Sequence, residues 1–106
     1  MHRRGILETL KTYESFFPSE KETVARVRNL VRSCPDCFER TCLPGHITGS
    51  AWIISPDRSR YLLTHHRKLN RWLQTGGHAD NETVPHRVAL REAEEESGMT
   101  GFQFVE

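Results

Sequence analysis

The sequence lacks any long apolar run. Its 106 residues have a mean hydropathy of −0.63, and 27 % of them are charged. The first residues, MHRRGILETLK, contain no apolar stretch long enough for the core of a secretory signal. Nothing approaches the roughly 20 apolar residues that a membrane-spanning helix needs. We therefore expect a single-domain protein of the cytoplasm that has no membrane partner.

An excess of charge of one sign is also missing. The 15 lysines and arginines nearly balance the 14 aspartates and glutamates, and the net charge is +1. Binding to nucleic acid or to an anionic membrane surface usually depends on a strong positive field. We therefore expect no nucleic-acid partner.

The cysteines do not make an even set. Cys34, Cys37 and Cys42 are three in number, which argues against a framework of paired disulfides. With His46 they follow the spacing C-x2-C-x4-C-x3-H, and three thiolates with one imidazole would suit tetrahedral zinc. Cysteines also pack as small apolar side chains. The spacing leaves both interpretations open.

The stretch from Gly76 to Met99, GGHADNETVPHRVALREAEEESGM, is the most informative part of the chain. Its first residues are glycine, aspartate and asparagine, which predict a loop. A helix is expected over Val84–Ser97, because Pro85 suits a first helical turn and Gly98 suits the residue that ends a helix.

The predicted helix carries four glutamates, three of them on one face. At about 100° per residue, Glu92, Glu95 and Glu96 share an arc of roughly 100°, and Glu94 lies outside it. Like charges at these spacings repel, and Arg91 would offset part of the repulsion by pairing with Glu95. A divalent cation with oxygen ligands would neutralise the face more fully. The alternative is an ordinary solvated acidic face.

The spacing of six residues carries a family resemblance. The residues are Gly77, Arg91, Glu92, Glu95, Glu96 and Gly98. They match the Nudix box, Gly-x5-Glu-x7-Arg-Glu-aliphatic-x-Glu-Glu-x-Gly-aliphatic. The probability that all six residues fall in register by chance is on the order of one in ten million per start point. Thr83 stands where the first glutamate of the box is expected. The chain thus resembles the Nudix hydrolases.

The resemblance implies an α/β (α+β) fold with a mixed sheet and the loop and helix of the box. It covers residues 45–106 as a partial Nudix domain, and residues 1–44 form an N-terminal extension of two helices. The last strands and the second helix of the family fold have no counterpart before Glu106. We expect such an incomplete sheet to favour a homodimer.

The resemblance also implies an activity. Nudix hydrolases cleave the pyrophosphate linkage of a nucleoside diphosphate joined to another group. By resemblance, Glu92, Glu95, Glu96 and the backbone at Gly77 would bind Mg²⁺ or Mn²⁺. Arg91 would hold a glutamate in place, and Glu92 or its neighbour Glu95 would help to activate the attacking water. The alternative is a truncated, non-catalytic Nudix-fold module that binds a ligand or a protein partner.

Four basic residues are candidates for contacts to substrate phosphates: Arg67, Lys68, Arg71 and His78. The alternative is that the first three simply solvate a turn between strands. The identity of the substrate stays open at this point.

The rest of the pattern predicts two helices and three strands. The helices are expected over residues 4–13 and from a capping box of Ser19 and Glu22 to about Ser33. The strands are expected over residues 46–55, 60–66 and 100–106, the first two forming a hairpin around the turn at residues 56–59.

Overall fold

The computed structural model describes residues 2–105, which form three α-helices, six short strands and one 3₁₀ turn. The helices are α1 (Arg4–Phe16), α2 (Lys21–Ser33) and α3 (Pro85–Ser97), and the 3₁₀ turn is Pro18–Glu20. The strands are β1 (Thr48–Ala51), β2 (Ile53–Ile54), β3 (Tyr61–Leu62), β4 (Thr64–His66), β5 (Arg71–Leu73) and β6 (Thr75–His78). The protein is therefore of the mixed α+β class.

The chain forms two compact units. One contains the chain up to Ile47 together with His78–Pro85, and the other contains Thr48–Gly77 together with the chain from His86 onward. Each unit has its own buried side chains. Across residues 2–105, no helix combines the length and apolarity needed to cross a membrane.

The first unit is built on α1 and α2. Ile6 of α1 and Val24 and Val31 of α2 are buried, because each helix carries apolar residues at helical spacing on one face. At the surface of the pair, the carboxylate of Glu14 accepts a hydrogen bond from Arg28 at 3.1 Å. The predicted extension of two helices is thus present.

The bounds of these helices differ in detail from the predictions. The first helix continues to Phe16, three residues further than expected. The capping box is wrong: Ser19 lies in the 3₁₀ turn, and α2 begins after Glu20 without a side-chain cap. Pro18 explains the change, because its locked φ angle favours the tight turn that takes up Ser19.

The segment that follows α2 is a series of turns that buries three side chains. Cys37, Phe38 and Cys42 are each at most 2 % exposed. The segment is tied down by its backbone, since the Ile47 N–H donates to the Cys37 carbonyl at 2.7 Å and the Asn81 N–H to the Phe38 carbonyl at 3.1 Å. These two bonds fix the backbone of the segment, and its buried side chains add to the core of the first unit.

The second unit contains two antiparallel hairpins. Strands β2 and β3 pair Ile53 with Leu62, and the turn between them is organised by Asp57. Its carboxylate accepts hydrogen bonds from the hydroxyls of Ser55 at 2.6 Å and Ser59 at 2.7 Å. These bonds lower the pKa of Asp57 to about 2. The predicted hairpin around this turn is confirmed.

The second hairpin joins β4 to β5 and pairs Thr64 with Leu73 and His65 with Trp72. The strand predicted over residues 46–55 is present but interrupted at Trp52, and its first part, β1, pairs with β6. Gly76 and Gly77 lie inside β6. The loop predicted at these glycines is therefore wrong, because strand pairing with β1 holds their backbone extended.

The helix α3 follows β6 closely. Val88, Ala89 and Ala93 are buried, and Gly98 ends the helix with φ 72° while its N–H donates to the Glu94 carbonyl at 2.9 Å. The helix predicted over Val84–Ser97 is confirmed, with Pro85 as its first residue. The strand predicted over residues 100–106 is wrong for residues 100–105, which have no regular structure. Glu106 lies outside the described residues.

Candidate active site

The centre of the candidate site is the glycine pair of β6, which meets two glutamates of α3. At Gly77, a Cβ atom would lie 2.6 Å from Cδ of Glu92 and less than 3 Å from both its carboxylate oxygens. This separation is far below a normal contact, so only glycine fits while Glu92 keeps its position. The glutamate side chain is 16 % exposed, and it lies directly against the strand backbone.

The second glutamate, Glu96, contacts the same strand through hydrogen bonds. Its Oε1 accepts a bond from the Gly76 N–H at 3.3 Å, and its Oε2 accepts one from the Thr64 hydroxyl at 3.4 Å. Unlike Glu92, this residue is exposed to solvent. Two carboxylates separated by one helical turn therefore converge on two consecutive glycines.

Arg91 pairs with a different glutamate from the one expected. Its Nη2 donates to Oε1 of Glu92 at 3.3 Å. The carboxylate of Glu92 lies against the strand and is within reach of the guanidinium, and the pairing of Arg91 with Glu95 stays a prediction. The resemblance, in which Arg91 holds a glutamate in place, agrees with this contact.

The other two glutamates of the helix differ from the expectation in their exposure. Glu95, which shares the predicted face, is exposed and does not contact the glycines through any hydrogen bond in the described structure. Glu94, expected on a solvated face, is half-buried. Of the three carboxylates predicted to share a face, those of Glu92 and Glu96 therefore lie against β6 and that of Glu95 is exposed to solvent.

Gly76 is enclosed more tightly by backbone than its neighbour. A Cβ atom there would lie 2.6 Å from Cβ of Ser50 and 3.0 Å from the Gly49 carbonyl oxygen. The pairing of β1 with β6 causes this close approach. The two glycines therefore serve different needs: Gly76 allows the strands to approach, and Gly77 admits the carboxylate of Glu92.

Three of the four basic candidates share one hairpin. Arg67 and Lys68 lie in the turn between β4 and β5, Arg71 begins β5, and all three are exposed. His78 belongs to the first unit, where its Nδ1 lies 3.1 Å from Nε2 of His46 and both rings are half-buried. The hairpin thus groups three positively charged side chains, and His78 lies in the other unit.

The cysteine segment does not assemble the zinc site that its spacing suggested. In the described part of the chain, no three side chains among His, Cys, Asp and Glu are grouped so that they could hold a metal ion. All three cysteines are free, and burial raises the pKa of Cys37 and, to about 12, that of Cys42. The thiols of Cys37 and Cys42 are therefore neutral at physiological pH and can pack like apolar side chains.

Two residues of the site were not predicted from the sequence. Thr64 contacts Glu96 across 32 residues of chain, and Ser50 lies against Gly76 across 26. The alternation of β-branched and apolar residues predicted the strands that carry them, but it contains no signal for a hydroxyl that faces a carboxylate.

A scan of protein-family models and a search of curated proteins both find no match to this chain.

Proposed function

We propose that the protein is a Nudix-type hydrolase that cleaves the pyrophosphate linkage of a nucleoside diphosphate derivative with Mg²⁺ or Mn²⁺. The observation that carries the proposal is the convergence of Glu92 and Glu96 on Gly76 and Gly77. Three of these residues belong to the spacing that resembles the Nudix box. On an ordinary solvated acidic face the carboxylates would point into water. Here the carboxylate of Glu92 lies so close to the strand that only a glycine fits at position 77.

The chemistry of the donors fits a small divalent cation. Carboxylate oxygens are hard ligands, and Mg²⁺ is usually bound by one or two carboxylates while keeping several waters and substrate phosphate oxygens. Two carboxylates at the glycine strand meet that need without a third protein ligand. Glu92 and Glu96 would hold the cation, with exposed Glu95 and the backbone at Gly77 as further ligands implied by the resemblance.

When bound, such a cation neutralises charge on pyrophosphate oxygens and lowers the pKa of bound water. The protein's own residues supply orientation. Arg91 holds Glu92 by an ion pair of 3.3 Å, and the Gly77 backbone limits its movement from the other side. Glu92, or Glu95 beside it, would accept the proton of the attacking water. A carboxylate held in this way is suited to a general base.

The hairpin between β4 and β5 is suited to the charged substrate. Arg67, Lys68 and Arg71 are exposed on it, and Thr64 at its base contacts Glu96. Cationic side chains bind phosphate oxygens by charge-assisted hydrogen bonds. We assign these three residues, and separately His78, to phosphate binding. The three free thiols suit the reducing cytoplasm, which we propose as the location.

The test is release of phosphate or nucleotide from a panel of nucleoside diphosphate compounds, with Mg²⁺ or Mn²⁺. Glu96→Gln removes one carboxylate charge, and Glu94→Gln is the matched control, because it makes the same change on the same helix at a residue not assigned to the site. We expect metal-dependent turnover that falls by about 100-fold or more in Glu96→Gln and stays near wild type in Glu94→Gln.

Two results would contradict the proposal. Equal turnover in both variants would remove Glu96 from the chemistry. A folded protein that binds Mn²⁺ and nucleotide but turns over no member of the panel would favour the alternative, a non-catalytic Nudix-fold binding module.

A further inference from the structure

The hydrogen bonds around Glu96 form a bridge between helix α3 and two strands. Each carboxylate oxygen accepts one bond: Oε1 from the Gly76 N–H at 3.3 Å and Oε2 from the Thr64 hydroxyl at 3.4 Å. A backbone N–H is held by its strand, and Thr64 is a strand residue paired with Leu73. The two donors therefore belong to two separate strand pairs, β1–β6 and β4–β5, and not to the helix.

This arrangement leaves room for a ligand on the same carboxylate. Each oxygen of an ionised carboxylate has two lone pairs. One hydrogen bond per oxygen occupies half of this capacity and holds the carboxylate plane at two points. Glu96 is exposed, so without these bonds its side chain would sample several rotamers.

The Thr64 hydroxyl also has a second acceptor. Its oxygen lies 3.3 Å from the carbonyl oxygen of Leu73, its cross-strand partner. A hydroxyl has a single hydrogen, so it donates to one of the two acceptors at a time. If a cation were bound by Glu96, the Thr64 hydroxyl could donate to the Leu73 carbonyl instead of to the carboxylate. The bond from Thr64 to the carboxylate can therefore be exchanged, while the bond from the Gly76 N–H is independent of it.

We propose that Thr64 is a positioning residue that orients Glu96 for a divalent cation. The inference rests on the proposed function only in that Glu96 binds the cation. Residues that hydrogen-bond a metal ligand typically change metal affinity by 10–100-fold when they are replaced. Because the Thr64 bond is long and partly exposed, we expect an effect at the lower end of that range.

The experiment is a titration of the whole protein with Mn²⁺, followed by electron paramagnetic resonance of the free ion. Thr64→Val removes the hydroxyl and keeps the shape and strand preference of the side chain. We expect about tenfold weaker binding in Thr64→Val and recovery to within about twofold of wild type in Thr64→Ser. The matched control is Thr48→Val, a strand threonine with no hydrogen bond to an α3 glutamate among residues 2–105; its affinity should not change.

A double-mutant cycle separates positioning from general damage. If Thr64 acts through Glu96, Thr64→Val should weaken binding little in a Glu96→Gln background, whereas damage to the fold would add to the loss. An unchanged affinity in Thr64→Val, no recovery in Thr64→Ser, or additive losses in the cycle would each overturn the proposal.

The proposed function and this inference fail in different ways. Mn²⁺ binding that depends on Thr64 without any turnover would contradict only the hydrolase. Turnover that depends on Glu96, with Mn²⁺ affinity indifferent to Thr64→Val, would contradict only the positioning role. A wild-type chain that binds no Mn²⁺ would overturn both.

Discussion

Two segments of this chain carry residue types that bind metals, and they differ in where they place those side chains. The cysteine segment, residues 34–46, buries Cys37 and Cys42 and raises their pKa values. The glutamate helix, α3, directs Glu92 and Glu96 to the backbone of β6. Both segments have a spacing that suggests ligands, but the thiols are buried, whereas two carboxylates of α3 lie against one strand.

The difference follows from how each side chain interacts with water. A neutral thiol loses little on burial, so Cys37 and Cys42 can pack as small apolar side chains. A carboxylate cannot be buried without compensation. It stays near solvent and accepts hydrogen bonds from backbone N–H and hydroxyl groups, as Glu96 does with Gly76 and Thr64. The thiols can therefore be buried in the core, whereas the carboxylates lie beside groups that donate hydrogen bonds to them.

The largest expected contrast is in thiol reactivity. A pKa of about 12 reduces the thiolate fraction of Cys42 at neutral pH by roughly a thousandfold against an ordinary cysteine, and burial shields it further. Half-buried Cys34 should therefore be alkylated first, with Cys37 and Cys42 lagging far behind. Mass spectrometry of a timed reaction with iodoacetamide measures this, with the urea-unfolded chain as control. Equal labelling of all three thiols in the native protein would refute it.

The two glycines of β6 should respond differently to alanine. In Gly77→Ala the new methyl meets only the end of the Glu92 side chain, which can move away. We expect a 10–100-fold loss of Mn²⁺ affinity with a nearly unchanged melting temperature.

In Gly76→Ala the methyl meets backbone and Cβ atoms of β1, which cannot move freely. We expect a loss of about 1–3 kcal/mol in the free energy of unfolding, measured by urea denaturation. A stability loss in Gly77→Ala as large as in Gly76→Ala would show that Glu92 is held more rigidly than a flexible side chain.

The cysteines should differ in stability as well as reactivity. Cys37 is fully buried, so Cys37→Ser places a hydroxyl in an apolar cluster and should cost about 1–3 kcal/mol of unfolding free energy. Cys34→Ser, at a half-buried site, should stay within about 0.5 kcal/mol of wild type. Urea denaturation of both variants measures the difference. A larger loss for Cys34→Ser would mean that the segment depends on Cys34 instead.

The smallest effect is expected at Asp57, whose hydrogen bonds are all local. Its folded pKa of about 2 lies below the ordinary value near 3.9, so its bonds stabilise the fold above about pH 4 and are lost as the pH falls toward 2. Asp57→Asn should slightly lower the melting temperature at pH 7, and the difference should vanish toward pH 2. Thermal unfolding of both proteins between pH 7 and pH 2 measures this difference. A difference in melting temperature that grows as the pH falls would contradict the prediction.

Local sequence signals predicted the helices and turns better than they predicted the tertiary contacts between them. Pro85 and Gly98 mark the ends of α3, and the turn residues around Asp57 mark the first hairpin. The glycine strand was missed because glycine favours loops on its own, and only pairing with β1 extends it. The ion pair of Arg91 with its neighbour Glu92 was not predicted, because it depends on the position of Glu92 against Gly77.

Local sequence signals were enough to predict the α+β class, the bounds of α3 and the spacing of glycines and glutamates that resembles the Nudix box. These features depend on neighbours within a few residues, where propensity, capping and periodicity act. Local signals do not show that Glu92 and Glu96, but not Glu95, contact the glycine strand, or that Thr64 donates a hydrogen bond to Glu96. Those contacts join residues 15 to 32 positions apart, and their geometry depends on how the strands pair and how the helix lies against them.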